Sequence, residues 1–325
     1  MRSRVVGTGS AVPDKVLNNH DLEKMVDTTD EWIRTRTGIK ERRIASPDEF
    51  TSTLATRAAL NALDMAGVSP HELDMIVVAT VTPDYPFPST AALVQNNIKA
   101  VNASAFDISA ACSGFIYAAS IVDKFIKSGA VKNVLVIGAE VLSRIVDWTD
   151  RNSCLLFGDG AGAVVIQADN GSAGILDTFM MSDGSHWELL YQPAPGNRNP
   201  VSHQVVDERL AFIRMQGNEV FKLAVRAMED AALKVLSAGN MTAADVDLFI
   251  PHQANMRIID AIGKRLGVPE EKIYVNIERF GNTSSASIPI ALDEANRKRL
   301  LKAGDLLLLD AFGGGMAWGA LTLRW

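Results

Sequence analysis

Three residues in separate segments have side chains suited to nucleophilic chemistry: Cys112, His252 and Asn282. Cys112 lies where an apolar, strand-like run meets a helix-like run, so its thiol is expected at the positive end of a helix dipole. That position predicts a lowered pKa and a larger thiolate fraction, which make a cysteine a good nucleophile. From this segment alone, a buried structural cysteine is the alternative. Cys154 lacks such a context and is interpreted as structural.

His252 and Asn282 occupy similar junctions further along the chain. His252 ends a strand-like run and precedes an amphipathic helix, a place where α/β proteins carry functional groups. Asn282 lies in a Gly-Asn turn before a helix predicted to begin near Ser284. A core or capping histidine and a helix-capping asparagine are the structural alternatives. The order Cys, His, Asn also suits a papain-like protease, but the sequence around Cys112 lacks that family's cysteine signature.

The composition is that of a globular protein with a large core. The chain has 325 residues, of which 47% are hydrophobic and 22% charged, enough for about two domains. No apolar run approaches the roughly 18 residues of a membrane span. The N-terminus lacks the apolar stretch of a signal peptide, and two cysteines make no disulfide framework. We therefore expect a cytoplasmic protein that does not bind a membrane.

Charge and motifs exclude several classes of partner. The net charge of −6 and the pI near 5.5 argue against a nucleic-acid binder, which usually carries a basic patch. No residues have metal-ligand spacing, and no glycine-rich nucleotide motif is present. The sequence therefore predicts neither a metal nor a bound cofactor.

Strand-like and helix-like runs alternate along the whole chain. This alternation predicts an α/β fold whose central strands are buried on both faces. The helical runs are 113–129 and 218–236, and the apolar strand runs are 74–81, 133–140, 162–168, 246–252 and 305–312.

The chain also resembles itself. Residues 58–80 and 231–253 share one pattern of helix, turn, polar link and strand, with Asp247 where Asp74 stands. This repeat predicts an N-terminal half over 1–170 and a C-terminal half over 171–325. Residues 182–204 have little periodicity and are predicted to form a long surface loop.

Four motifs carry a family resemblance: ISAACSGFIYA around Cys112, PHQANMRI around His252, FGNTSSASIP around Asn282 and AFGGGMAWGA near the C-terminus. They resemble the β-ketoacyl-acyl carrier protein synthase III family, the initiating condensing enzymes of type II fatty-acid synthesis. The resemblance extends over essentially the whole chain. It implies a thiolase-like homodimer with duplicated halves stacked as five layers, α-β-α-β-α.

The resemblance also implies a reaction. Cys112 takes the acyl group of an acyl-CoA, and malonyl-acyl carrier protein then loses carbon dioxide. His252 and Asn282 donate hydrogen bonds to the thioester oxygen, which becomes negatively charged. The resulting carbanion attacks the acyl-Cys112, whose oxyanion hole consists of the backbone N–H groups of Cys112 and Gly315. The CoA thioester is a substrate, so no cofactor is implied.

Further positions carry over from the family. Phe87 matches a residue that reaches into the partner subunit's acyl pocket. Three basic residues on the helix after His252 are expected to dock the acidic carrier protein: Arg257, Lys264 and Arg265. Four residues match positions that bind CoA. Trp32 and Arg151 match the pair that stacks on its adenine, and Arg36 and Asn255 match positions that line its channel.

One departure leaves the acyl primer open. The stretch between 188–190 and 217–219 is longer than in acetyl-primed members of the family. A branched, medium-chain or aryl primer is therefore an alternative to acetyl. So is a related condensing enzyme or acyltransferase of secondary metabolism. A non-catalytic partner subunit is a further alternative, against which the intact Cys112, His252 and Asn282 argue.

Overall fold

Two sheets and the helices around them account for most of the structure, a computed structural model that describes residues 1–325. The strands are β1 (Arg2–Ala11), β2 (Val16–Asn18), β3 (Glu41–Arg43), β4 (Met75–Ala79), β5 (Ser104–Ile108), β6 (Asn133–Glu140), β7 (Gly160–Asp169), β8 (Gly174–Ser182), β9 (Leu190–Tyr191), β10 (Arg214–Met215), β11 (Leu248–Pro251), β12 (Leu306–Gly313) and β13 (Ala317–Arg324). The helices are α1 (Asn19–Leu22), α2 (Asp30–Thr37), α3 (Thr51–Ala66), α4 (Thr90–Ile98), α5 (Gly114–Lys127), α6 (His203–Asp207), α7 (Gly217–Ala238), α8 (Met256–Leu266), α9 (Ile277–Phe280) and α10 (Ser287–Arg297).

The two large sheets repeat one strand order. The first runs β1-β7-β6-β4-β5 and the second β8-β13-β12-β11. In each, two antiparallel pairings are followed by a parallel one. In the first sheet, β5 adds a fifth strand parallel to β4. At the corresponding edge of the second sheet there is only a single parallel bridge, between Phe249 and Ile273. This repeated order favours the division near residue 170, which stays a prediction.

Three apolar cores define five layers. One core packs α3 and α4 on the outer face of the first sheet, and another packs α7 and α8 on the outer face of the second. The third lies between the sheets and includes α5 and α10. The buried residues of α5 explain its central place, because Phe115, Ala119, Val122 and Ile126 recur at helical spacing. The α-β-α-β-α stacking is confirmed.

The predicted elements are also confirmed, with small shifts at their ends. The five apolar runs became β4, β6, β7, β11 and β12, and the two helical runs became α5 and α7. The central strands β4 and β6 are buried on both faces, which is why they read as unbroken apolar runs. The stretch 182–204 is more structured than predicted, because it contains a 3₁₀ segment (Gly184–Leu189) and β9. None of the helices has both the length and the apolarity to cross a bilayer.

Candidate active site

Cys112 lies on a tight turn between the first sheet and α5. The 3₁₀ turn Ala111–Ser113 leads directly into α5, so the thiol is two residues before the helix start. Ala111 has a φ of +45°, a left-handed conformation that costs free energy for a residue with a side chain and occurs often at functional sites. Cys112 itself is only 9% exposed.

The glycine run that begins at the end of β12, Gly313–Gly315, packs directly against this turn. A Cβ placed on Gly313 would lie 2.6 Å from the Cys112 backbone nitrogen, so only glycine fits there without displacing the backbone of Cys112. Gly315 has a φ of +70°, and a Cβ there would meet nothing within 4 Å. The close contact with Cys112 is therefore made by Gly313, whereas the assignment of Gly315 to the oxyanion hole stays a prediction.

The predicted lowering of the Cys112 pKa is wrong for this structure. Burial raises the pKa of the Cys112 thiol to about 12, a hydrogen bond with Ser284 opposes that rise, and the charge of Glu140 adds to it. A helix dipole contributes at most about 2 kcal/mol, or roughly 1.5 pKa units, in favourable geometry. That is too little to offset the desolvation, so Cys112 rests as a thiol.

His252 follows β11 and is held from both sides. Its backbone N–H donates to the Asp310 carbonyl at 2.7 Å, which fixes the residue to β12. Its Nδ1 lies 2.6 Å from the Ser287 hydroxyl oxygen, and the ring is 2% exposed. Burial lowers the pKa of His252 to about 3, so the imidazole is neutral near pH 7.

Asn282 lies on a turn that bridges to the first half of the chain. Its backbone N–H donates to the Leu156 carbonyl at 2.8 Å, and its carbonyl accepts from the Gly158 N–H at 3.0 Å. Its side-chain Oδ1 accepts from the Ser284 N–H at 2.8 Å. Because the amide oxygen is engaged there, the Nδ2 group is left as a hydrogen-bond donor. The predicted capping role and a role as donor are thus compatible.

One cavity of about 330 Å³ brings the candidate residues together. Its wall includes Cys112 from the first half of the chain, and His252 and Asn282 from the second. The remaining lining is largely apolar and comes mainly from α7, α8 and the segment before β7, with Leu190, Met215 and Phe312 from three strands. Four predicted CoA contacts and one predicted docking residue also line it: Trp32, Arg36, Arg151, Asn255 and Arg257.

Trp32 and Arg151 contact each other at the edge of this cavity. The Arg151 guanidinium carbon lies 4.9 Å from the centre of the Trp32 ring, and that of Arg36 lies 5.5 Å away. An adenine held between Trp32 and Arg151 requires the guanidinium to move off the ring. The structure therefore contains the two predicted stacking partners, but they contact each other and leave no space for an adenine between them.

Four predicted site residues do not line the cavity: Gly315, Phe87, Lys264 and Arg265. Phe87 is 86% exposed on the loop after β4, an unusual position for a large aromatic side chain. Lys264 lies on the exposed side of α8 and forms no ion pair. Arg265 is ion-paired with Glu229 of α7.

Sequence reasoning missed Glu140, a fully buried carboxylate at the end of β6. It accepts hydrogen bonds from Thr80 Oγ1 at 3.2 Å, Thr82 Oγ1 at 2.6 Å, the Val81 N–H at 3.1 Å and Ser285 Oγ at 3.0 Å. These bonds join the loop after β4 to the turn before α10. In the sequence, only the position of Glu140 at the end of an apolar strand could have identified it, and that signal is weak.

Comparison with known proteins agrees with this geometry. A family model for 3-oxoacyl-[acyl-carrier-protein (ACP)] synthase III matches residues 106–184, and a model for the C-terminal part of the same family matches 236–325. The two matches contain Cys112 in one case, and His252 and Asn282 in the other.

Individual relatives match over nearly the full chain. The beta-ketoacyl-[acyl-carrier-protein] synthase III of Caldanaerobacter subterraneus is 55% identical, covering 99% of this chain and 97% of that protein. The crystal structure of 3-oxoacyl-[acyl-carrier-protein] synthase III from Aquifex aeolicus matches with a TM-score of 0.93 at 54% identity, covering 99% and 100%. The priming β-ketosynthase of the R1128 polyketide pathway matches at 0.93 and 37% identity, covering 99% and 96%. This chain belongs to the β-ketoacyl-[acyl-carrier-protein] synthase III family, the thiolase-fold condensing enzymes that transfer acyl groups.

Proposed function

We propose that this chain condenses an acyl-CoA primer with malonyl-acyl carrier protein and so initiates fatty-acid synthesis. The Cys112 thiol loses its proton and its sulfur attacks the thioester carbonyl. The new S–C bond forms as the acyl bond to CoA breaks, and the CoA thiolate leaves and takes up a proton. Malonyl-acyl carrier protein then loses carbon dioxide, and the electron pair of the broken C–C bond passes into an enolate. The enolate carbon attacks the acyl group, and Cys112 leaves as a thiolate that regains a proton.

The observation that carries this proposal is the meeting of Cys112, His252 and Asn282 on one cavity wall. His252 is neutral, and Asn282 has its amide oxygen engaged by Ser284. Both are therefore suited to donate hydrogen bonds to the enolate oxygen rather than to act as strong bases. The backbone N–H groups of Cys112 and Gly315 are proposed as donors to the oxyanion of the acyl transfer.

Intact-mass spectrometry tests the two half-reactions in sequence. Incubation with an acyl-CoA is expected to add one acyl mass to the protein, and malonyl-acyl carrier protein is expected to remove it as a β-ketoacyl product. A protein that gains no mass with any acyl-CoA, or retains the acyl group after the second addition, would contradict the proposal.

Trp32 and Arg151 are proposed to bind the adenine end of CoA, with Arg36 and Asn255 along the channel. Trp32→Ala is expected to raise the KM for acyl-CoA about tenfold, the loss of one stacking interaction, with little change in kcat because this contact is remote from the reacting atoms. Trp187→Ala is the matched control, since Trp187 also carries an arginine over its ring (Arg198, 5.3 Å) but does not line the cavity. If Trp32→Ala and Trp187→Ala raised the KM for acyl-CoA equally, the assignment of Trp32 to adenine binding would be wrong.

The acylation step should accelerate with pH. Because the pKa of Cys112 is about 12 and neutral His252 does not change charge near pH 7, the thiolate fraction rises about tenfold per pH unit between about pH 6 and pH 9. Rapid-quench mass spectrometry of Cys112 at saturating acyl-CoA measures this dependence. A plateau below about pH 8 would show instead that the bound thiol has an ordinary or lowered pKa.

The carrier protein and a second subunit are proposed as protein partners. Arg257 lines the cavity, and Lys264 lies exposed seven residues further along α8. Both offer positive charge to an acidic carrier protein, whereas Arg265 is partly neutralised by Glu229. A homodimer would cover two exposed features, the single-sided edge strand β5 and the aromatic ring of Phe87. We place the dimer in the cytoplasm, where both cysteines stay reduced.

A secondary-metabolite condensing enzyme is the second candidate. The likeness to a polyketide priming β-ketosynthase favours it. So does the stretch 190–216, which forms α6 and the β-ribbon of β9 and β10, because Leu190 and Met215 of the ribbon line the cavity. A panel of acetyl-, branched, octanoyl- and anthraniloyl-CoA, measured as mass added to Cys112, separates the two. Turnover of only an aryl or medium-chain thioester would favour the second candidate.

A further inference from the structure

We infer that Ser287 is a positioning residue whose hydroxyl donates to His252 Nδ1 and thereby fixes the imidazole as its Nε2–H tautomer. The inference rests on the function proposed above for His252, and it adds a residue to which no role has been assigned. It concerns the step that breaks the malonyl C–C bond rather than the step that loads Cys112.

The hydrogen bonds around Ser287 give the direction of donation. Its Oγ lies 2.6 Å from His252 Nδ1 and 3.3 Å from the Gln253 backbone nitrogen. An N–H group can only donate, so Gln253 occupies one lone pair of the Ser287 oxygen. The hydroxyl hydrogen is left for Nδ1, the one acceptor within hydrogen-bonding distance.

The opposite tautomer leaves a hydrogen unpaired. With a hydrogen on Nδ1, Ser287 Oγ would accept from two N–H groups, and its own hydroxyl hydrogen would have no acceptor. Serines in helices often donate to the carbonyl one turn earlier, but Ser287 makes no such bond in this structure. Ser287 is 3% exposed and His252 2% exposed, so solvent does not compensate. An unpaired buried donor is unfavourable, which selects the Nε2–H form.

The selected tautomer determines what His252 can do. Nδ1 is engaged with Ser287, so Nε2 is the ring nitrogen available to the cavity that His252 lines. As a neutral N–H donor it can stabilise the enolate oxygen formed when carbon dioxide leaves. The same hydrogen prevents Nε2 from accepting the Cys112 proton. The hydrogen bond from Ser287 therefore suits His252 to stabilise the decarboxylation step. It also means that His252 does not act as the base when Cys112 is loaded.

The tautomer can be measured directly on the intact protein. Two-dimensional ¹H–¹⁵N NMR of imidazole-labelled protein reports which ring nitrogen carries the hydrogen, and His252→Gln identifies the resonances among those of five histidines. We expect a protonated Nε2 and an unprotonated, hydrogen-bonded Nδ1 in the wild type. A wild-type Nδ1–H resonance would overturn the inference without any variant at position 287.

Variants then connect the tautomer to the reaction. Ser287→Ala is expected to populate the Nδ1–H form and to slow malonyl-acyl carrier protein decarboxylation about tenfold to hundredfold, the usual effect of losing an orienting partner. Acyl loading of Cys112 should stay within about twofold, because Nε2 takes no part in it. Ser287→Thr keeps the hydroxyl and should restore the tautomer and most of the rate. Ser3→Ala is the control, because the buried Ser3 hydroxyl donates a hydrogen bond to Asp123, and neither residue lines the cavity.

Two outcomes separate this inference from the proposed function. A wild type that fails to load Cys112 or to decarboxylate malonyl-acyl carrier protein defeats the proposed function, whatever the tautomer. A wild type that performs both steps, with Ser287→Ala slowing loading and decarboxylation equally or changing neither, defeats the role of Ser287 alone.

Discussion

Cys112→Ala is expected to abolish acyl loading and to lower condensation by at least about 10³-fold, because no other group can form the covalent intermediate. Intact-mass spectrometry should show no added acyl mass with any acyl-CoA that loads the wild type. The protein should remain folded, since the side chain is small and the turn around it is set by backbone contacts with Gly313. An acyl adduct that survives the substitution would place the nucleophile elsewhere.

Cys154→Ala is the matched control for this experiment. Cys154 is fully buried in an apolar cluster with Ile33, Leu142 and Phe157, and burial raises the pKa of its thiol to about 11. It does not line the active-site cavity. Its loss should reduce stability by about 1 kcal/mol through a small cavity and leave acyl loading unchanged.

His252→Ala and Asn282→Ala are each expected to slow decarboxylation of malonyl-acyl carrier protein by about 10²–10³-fold, the usual effect of removing one oxyanion donor. Acyl loading of Cys112 should fall by less than about tenfold, because neither group serves as its base. The two donors act on the same oxygen, so the double variant should lose less than the product of the single effects. Release of carbon dioxide from labelled malonyl-acyl carrier protein measures one step, and mass on Cys112 measures the other.

Residues of the same types outside the site provide the comparison. His71→Ala and Asn97→Ala replace side chains on the protein surface and should change neither rate. If His252→Ala instead slowed acyl loading as strongly as decarboxylation, His252 would be the base for Cys112. That result would contradict both its neutral donor role and the pH dependence expected for loading.

Much of the fold and the central chemistry could be predicted from the sequence. Apolar runs buried on both faces have a local signature, so β4, β6, β7, β11 and β12 were predictable without the structure. The similarity between residues 58–80 and 231–253, which corresponds to the repeated strand order of the two sheets, could also be seen in the sequence. Cys112, His252 and Asn282 were identified as candidates because each lies in a local pattern of strand end, turn and helix start, and the three line one cavity.

Residue roles that depend on distant contacts could not be predicted this way. Ser287 contacts His252 across 35 positions of sequence, and Glu140 contacts Ser285 across 145. Gly313 packs against the backbone of Cys112 because β12 ends beside the turn before α5. No local pattern specifies which side chains meet when two halves of a chain pack together.

The protonation state of Cys112 shows most clearly what the sequence determines and what the tertiary structure determines. The sequence by itself determined that Cys112 precedes a helix, and the dipole at that position favours the thiolate. Only the tertiary structure determined how fully the thiol is buried and that Glu140 lies near it, and these raise its pKa to about 12. Local geometry therefore determined which residue is the candidate nucleophile. Desolvation, which depends on every layer packed around it, determined its resting state.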